Sequence, residues 1–188
     1  DRRQRQMCIR DRISSGTTRD GLEVFGKMEK GYLLSVDSNW DMYGDGYLSG
    51  HYFSEGALRE QLEKAYPGLV FTEEPVENQI NMYKRDKVGH ILFLTVGNKT
   101  ISGEEFRQLL ELPSSNFTMQ AADGKIRFLC KGQGHGLGLS QYGGNVLAKE
   151  GKSYKEILRY YFPECGVQKK TPDRKKNRCI LLQNQGIL

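Results

Sequence analysis

Residues 132 to 143 read Gly-Gln-Gly-His-Gly-Leu-Gly-Leu-Ser-Gln-Tyr-Gly, five glycines in twelve positions around one of the chain's three histidines. An imidazole, a hydroxyl, an amide and a phenol gathered on one loop could hold a polar ligand or move a proton. Glycine at alternate positions lets the backbone take positive φ and approach another surface closely, a pattern that ordinary strands and helices avoid. His135 is either a residue satisfied inside its own loop or a substrate contact and proton partner. Ser140, Gln141 and Tyr142 either hydrogen-bond a ligand or cap the following helix and satisfy the loop backbone. Ser140 is not read as a nucleophile, because the sequence places no Asp or Glu to orient His135.

Three familiar glycine motifs do not fit. A phosphate loop needs a Lys after its glycines, and none follows here. A dinucleotide fingerprint needs another spacing for its third glycine and a surrounding βαβ unit. A nucleophile elbow needs Gly-x-Ser-x-Gly, and the residues around Ser140 do not complete it.

The elements that must position this loop can be read locally. Lys125 to Lys131 reads as a strand entering it and Gly144 to Glu150 as a helix leaving it. Asn116 to Met119 pairs with that strand in a hairpin turned at Ala122-Asp123-Gly124. Ser54 caps a helix whose apolar positions are Leu58, Leu62 and Ala65, ended by Pro67-Gly68. Val76 to Arg85 alternates, Val88 to Val96 reads as a buried strand, and Asp86-Lys87 turns between them. Ser102 with Glu105, and Ser153 with Glu156, form capping boxes that open two further helices. The first of these carries Phe106, Leu109 and Leu110; the second carries Tyr154, Ile157, Leu158 and Tyr161 on its apolar face. Val167 to Lys169 is expected as a last edge strand. The fold class expected is α+β, with mixed or antiparallel sheet and several short helices.

Composition narrows the function. At 188 residues, one domain is expected. No apolar run approaches the ~20 residues of a membrane span. The net charge of +5 is concentrated at the ends: residues 1 to 12 carry net +3 and residues 169 to 178 net +5, so the remainder is near −3. The basic balance reflects the two ends and is poor evidence for nucleic-acid binding by the body, so no nucleic acid is expected as a partner. The four cysteines, Cys8, Cys130, Cys165 and Cys179, have no Cys-x-x-Cys spacing, so neither a zinc nor a redox motif is indicated. Cys130 is expected as a buried free thiol. Residues 7 to 12, Met-Cys-Ile-Arg-Asp-Arg, resemble sequencing-adapter read-through. Residues 1–12 are accordingly read as non-native or disordered, 13–168 as the folded part, and 169–188 as a basic tail.

The glycine loop resembles the signature of the stage II sporulation protein D family (SpoIID/LytB). The resemblance continues through Ala148-Lys149-Glu150-Gly151-Lys152 and Ile157-Leu158-Arg159-Tyr160-Tyr161, with Gly144 where the family usually has alanine. Ser14-Ser15-Gly16-Thr17-Thr18 and Tyr32-Leu33-Leu34-Ser35-Val36-Asp37-Ser38-Asn39-Trp40-Asp41 resemble two further family stretches, with Asn39 replacing the usual proline. It runs from about Ser14 to about Gln168.

The resemblance implies an extracytoplasmic protein, membrane-anchored at full length, that acts on peptidoglycan during forespore engulfment. Family members resemble lytic transglycosylases, in which a single glutamate serves as general acid and then base, unlike two-carboxylate hydrolases. That glutamate is expected in an N-terminal run absent here, so the chain is read as the C-terminal portion of an incomplete SpoIID-like domain and as inactive by itself. Glu23, Glu104, Glu105 and Glu150 are local, helix-associated residues and none is assigned as the acid. The catalytic residue is unassigned. The expected substrate-binding residues are Ser15, Thr17, Trp40, Gly134, His135, Gly136, Ser140, Gln141 and Tyr142. For Ser15 and Thr17 the alternative is a serine/threonine turn; for Trp40 it is a packed core ring rather than a sugar platform. Family zinc sites fall before this stretch or in its first turns, where Ser14 and Gly16 offer no ligand, so no metal and no cofactor are expected. Expected partners are peptidoglycan glycan strands and either other engulfment proteins or a cell-wall amidase. Two other readings remain: a non-catalytic amidase enhancer, and a fragment without an independent fold, whose exposed sheet edges would make it poorly soluble.

Overall fold

Asp123 and Gly124 both take positive φ, 52° and 69°, which closes the tight hairpin between β6 (Phe117–Ala122) and β7 (Lys125–Lys131). The computed structural model of the protein describes residues 10–26 and 32–166. β7 is the central strand of an antiparallel sheet, with β2 (Leu48–Ser54) on its other edge in unbroken register from Leu48↔Lys131 to Ser54↔Lys125. Its alternation is the expected period of two: Ile126, Phe128 and Cys130 turn inward. Phe128 is the hub, with ring centroids 5.7 Å from Phe53, 5.7 Å from Phe106 and 5.4 Å from Phe117.

A second antiparallel sheet has the order β3 (Ile80–Arg85), β4 (Ile91–Val96), β5 (Lys99–Ser102). Its central strand buries Ile91, Leu94 and Val96. Val76 to Gln79, expected as part of the first strand, form a 3-10 turn instead. Pro75 has no N–H to give a ladder, and the Val76 N–H donates to the Glu55 carboxylate, so pairing starts only at Ile80. Helices α2 (Glu55–Ala65) and α3 (Gly103–Leu109) complete the larger core with Leu58, Leu62, Phe106 and the following Leu110. Burying each such side chain is worth about 1.5–3 kcal/mol.

A smaller core gathers Leu33, Leu137, Leu147, Tyr161 and Phe162 between α4 (Gln141–Lys149) and α5 (Tyr154–Tyr161). Both expected capping boxes are present, at Ser102/Glu105 and Ser153/Glu156. Tyr154 departs from its expected place on the apolar face of α5: it is 57% exposed. It is the first residue after the Ser153 cap, so its side chain leaves the helix before the turn that packs.

The glycine loop joins the two cores. The segment from residue 10 to residue 19 wraps around it, through β1 (Arg10–Asp11) parallel to β8 (Leu139–Ser140) and single bridges Ile13↔Gln133 and Arg19↔Leu137. Three residues of the expected non-native leader, Arg10, Asp11 and Arg12, thus pair with or hydrogen-bond to this loop. With five α-helices and antiparallel three-stranded sheets among the described residues, the architecture is α+β. The expected strand at 167–169, Cys8, Cys179 and most of the two basic ends lie outside the described residues.

Candidate functional site

Gly134 and Gly136 hold φ of 124° and 77°, a region that other L-residues enter only with strain. They also leave room for what lies behind them. A Cβ on Gly134 would overlap the Asp11 carboxylate; one on Gly136 would sit 2.7 Å from Arg19 Cδ and 2.8 Å from His90 Nε2. The missing side chains at these two positions therefore face the protein. The loop is pinned at its edges as well: Gly132 N donates to Tyr47 O, Gly134 N to Pro113 O, and Arg19 N to Gly136 O.

Behind Gly136 lies a buried polar cluster that the sequence did not announce. Arg19 Nε donates to Asp86 Oδ2 at 2.6 Å, with 5% and 1% of the two side chains exposed. Arg19 Nη1 donates to the His135 carbonyl at 3.1 Å, so one guanidinium ties the β3–β4 turn to the glycine loop. The other oxygen of Asp86 accepts the backbone N–H of Val88 and of His90, the pattern of an Asx turn. His90 itself is 1% exposed. Its Nδ1 lies 3.0 Å from Ser115 Oγ and its Nε2 3.3 Å from Ser15 Oγ. Burial, and then the Arg19 cation, push the His90 imidazole well below its usual range, so it is neutral.

A second buried cluster lies under the start of α4. Asp41 Oδ1 accepts from the Ser140 hydroxyl and Asp41 Oδ2 from Ser14 N, each at 2.8 Å. Ser140 in turn caps α4 by accepting from Gly143 N at 3.2 Å. Ser38 Oγ lies 2.8 Å from the Tyr161 hydroxyl. All four of Ser38, Asp41, Ser140 and Tyr161 are fully buried.

The expected site residues divide between these clusters. Ser15, Gly136 and His135 meet through His90 and Arg19. His135 is half-buried and its Nδ1 accepts from Leu137 N at 3.0 Å, which folds the ring back onto its own loop. Ser140 has no exposed surface, so its hydroxyl serves the cap and Asp41 rather than a ligand. Tyr142 reaches the 3-10 turn Asn39–Tyr43 by donating to Tyr43 O at 3.3 Å. Trp40 packs into the smaller core, edge-on to Tyr160 at 5.7 Å, rather than standing free as a platform. Thr17 donates to Asp37 at 3.3 Å, away from the loop. Gln141 opens α4 and is exposed; Gly134 and the neighbouring Gln133 are partly so. Tyr43, 82% exposed, and Met42 stand beside Gly44, which touches Tyr142.

The glutamates weighed in the sequence are committed elsewhere. Glu23 accepts from Lys87 N, and Glu150 ends α4. Burial would raise Glu104, but hydrogen bonds from Arg107 and Gln108 hold it below its ordinary value. The backbone and side chain of Ser102 do the same for Glu105. A general acid needs the opposite shift. Asp11 has it: burial raises its carboxyl to about 7, against backbone N–H groups of Gly136, Arg12 and His135 that pull it down. It is 2% exposed, which leaves it beneath the loop rather than in a cleft. Cys130 is buried, and burial pushes its thiol up to about 11, so it is an inert core residue.

No family model matches the chain. It is 31% identical over 149 residues to stage II sporulation protein D of Bacillus amyloliquefaciens, spanning 79% of this chain and 41% of that protein. It is 29% identical over 150 residues to stage II sporulation protein D of Bacillus subtilis (strain 168), with the same coverage. The amidase enhancer of Bacillus subtilis (strain 168) is 32% identical over 88 residues, 47% of this chain and 12% of that protein. The chain thus spans about two fifths of the length of the sporulation proteins that it matches. The motifs at the wrapping segment, the 3-10 turn and the glycine loop, together with these matches, place the chain among the SpoIID/LytB-like proteins.

Proposed function

We propose that this chain is part of a sporulation protein that works on the cell wall outside the cytoplasmic membrane, and that its glycine loop binds the glycan strands of peptidoglycan. The similarity to stage II sporulation protein D over 79% of the chain carries this reading. The arrangement of the loop supports it. Ser15, Gly134, His135 and Gln141 form the binding face, with Gln133 and Tyr43 beside it; the buried Gly136 holds the loop from behind through Arg19. Their hydroxyl, amide and main-chain groups suit sugar hydroxyls and acetamido groups, and an exposed tyrosine suits a sugar face. Thr17, Trp40, Ser140 and Tyr142 act from behind, by holding the loop and its neighbours in place.

In the whole protein the finer activity is lytic transglycosylation, with the acid supplied by a residue other than Glu23, Glu104, Glu105 or Glu150. A second reading, a wall-binding enhancer of an amidase, is favoured by the match to the amidase enhancer. Incubating the 188-residue chain with peptide-free glycan strands tests both parts. Retention on the glycan with no new anhydro-muramyl ends is expected. Absence of retention would remove the glycan-binding proposal, and release of anhydro ends would show that the chain carries its own acid.

A further inference from the structure

His90 is held by two serines of different standing. Ser115, at 3.0 Å from Nδ1, is fully buried; Ser15, at 3.3 Å from Nε2, is partly exposed beside the glycine loop. Which nitrogen carries the proton decides what Ser15 can do. Arg19 Cδ and His90 Nε2 both press on Gly136, at 2.7 and 2.8 Å from where its Cβ would be, so the Arg19 chain passes on the Nε2 side. Burial, and then the Arg19 charge, disfavour a second proton on the ring. With its one proton on Nδ1 the neutral ring donates to Ser115. Nε2 is left with a lone pair that accepts the Ser15 hydroxyl proton.

We propose that His90 is a positioning residue: it draws the Ser15 hydroxyl proton inward, so that Ser15 offers a bound glycan only acceptor lone pairs and selects a donor, a sugar hydroxyl or an acetamido N–H. This rests on the proposed glycan-binding reading. A freely rotating serine would donate or accept indifferently; a serine whose proton is already engaged cannot donate. Besides Arg19, the groups that act on His90 are His135, Arg107 and Arg85, which all oppose its charging. Asp86 faces its backbone N–H and is neutralised by Arg19. The polarity of Ser15 is therefore constant across the neutral range.

Two measurements on the whole chain decide this. Nitrogen NMR of the histidine side chains should show His90 as the neutral Nδ1–H tautomer through the pH range in which an ordinary histidine becomes protonated, with its Nε2 signal moved by Ser15→Ala. Binding to peptide-free glycan strands should weaken about tenfold in Ser15→Ala and in His90→Leu. If His90 acts through Ser15, the double variant should be no weaker than either single one. His90→Gln, whose amide oxygen can still accept from Ser15, should recover most of the affinity. An Nε2–H tautomer, additive losses, or full affinity in Ser15→Ala would each overturn the assignment. Failure of the unaltered chain to bind glycan would remove the proposed function instead, and the tautomer measurement would still decide the Ser15–His90 contact.

Discussion

Gly143 and Gly144 are neighbours in the first turns of α4, yet replacing each by alanine should shift stability in opposite directions. In an open helix the exchange gains up to about 1 kcal/mol. At Gly144 nothing opposes that gain: a Cβ would lie 3.6 Å from Ile157 Cγ2 and Leu139 Cδ2, ordinary contact distance. Gly144→Ala should therefore raise stability by about 0.5–1 kcal/mol. At Gly143 a Cβ would lie 2.5 Å from Ser38 Oγ and 3.2 Å from Asp41 Oδ1, and would overlap the Tyr161 hydroxyl. To admit it, the 2.8 Å contact between Ser38 and Tyr161 must break where neither side chain reaches water. Each stranded buried hydroxyl costs about 1–3 kcal/mol and overpacking about 1–3 kcal/mol more. Less the helical gain, a net loss of about 3 kcal/mol is expected for Gly143→Ala. For a chain of this size that lowers the melting temperature by about 6–12 °C, against a rise of about 1–4 °C for Gly144→Ala. Thermal and urea unfolding of the two variants measures both signs. Adding Tyr161→Phe to Gly143→Ala removes the worst overlap and should return part of the loss. A Gly143→Ala protein that melts at or above the parent would refute the packing argument.

The remaining predictions concern the buried charges. Removing one partner of the Arg19–Asp86 pair, by Arg19→Met or Asp86→Asn, should cost about 3–5 kcal/mol in urea unfolding, because the other charge is left without water or counter-ion; a loss below about 1 kcal/mol, typical of exposed pairs, would show the pair to be solvated. Asp11 should make stability fall with pH: its carboxyl rises from 3.8 to about 7 on folding, so the contribution is complete below about pH 4 and is lost as pH climbs through 7. At 1.36 kcal/mol per pKa unit the swing is about 4 kcal/mol, and Asp11→Asn should flatten the stability profile over that range. An unchanged slope in that variant would place the titration elsewhere.

Local signals in the sequence translated directly into structure. The Asp123-Gly124 turn and both capping boxes are contained within four residues, and each formed as read. Ser140 as a helix cap is equally local. What the sequence could not display is the partner of each site residue. Asp86 looked like a turn residue, which it also is, but its ion pair spans 67 positions to Arg19. Asp41 and Ser140 are 99 positions apart. His90 sat at the edge of a hairpin with no pattern around it, and its contact Ser15 lies 75 residues earlier. The glycines of the loop were legible as unusual, but the surface they approach is Asp11, Arg19 and His90, which only the fold assembles.

The two buried polar clusters explain how a loop so rich in glycine could serve as the proposed binding surface. Glycine loses the most backbone freedom on ordering, so a loop of this composition would be loose if only its own bonds held it. Here Arg19 grips the His135 carbonyl and the Gly136 carbonyl, while Asp41 fixes Ser140 at the other end. Between those anchors the loop has few ways to move without stranding a buried charge. The ordering cost is thus met during folding, and a ligand that binds need not supply it. For a repeating polymer that offers many weak polar contacts, as the proposed glycan does, such preorganisation matters more than any single hydrogen bond. It also accounts for the placement of the buried charges: Arg19 and Asp86 cost stability to desolvate, and they stand where they restrain the backbone that carries the proposed site.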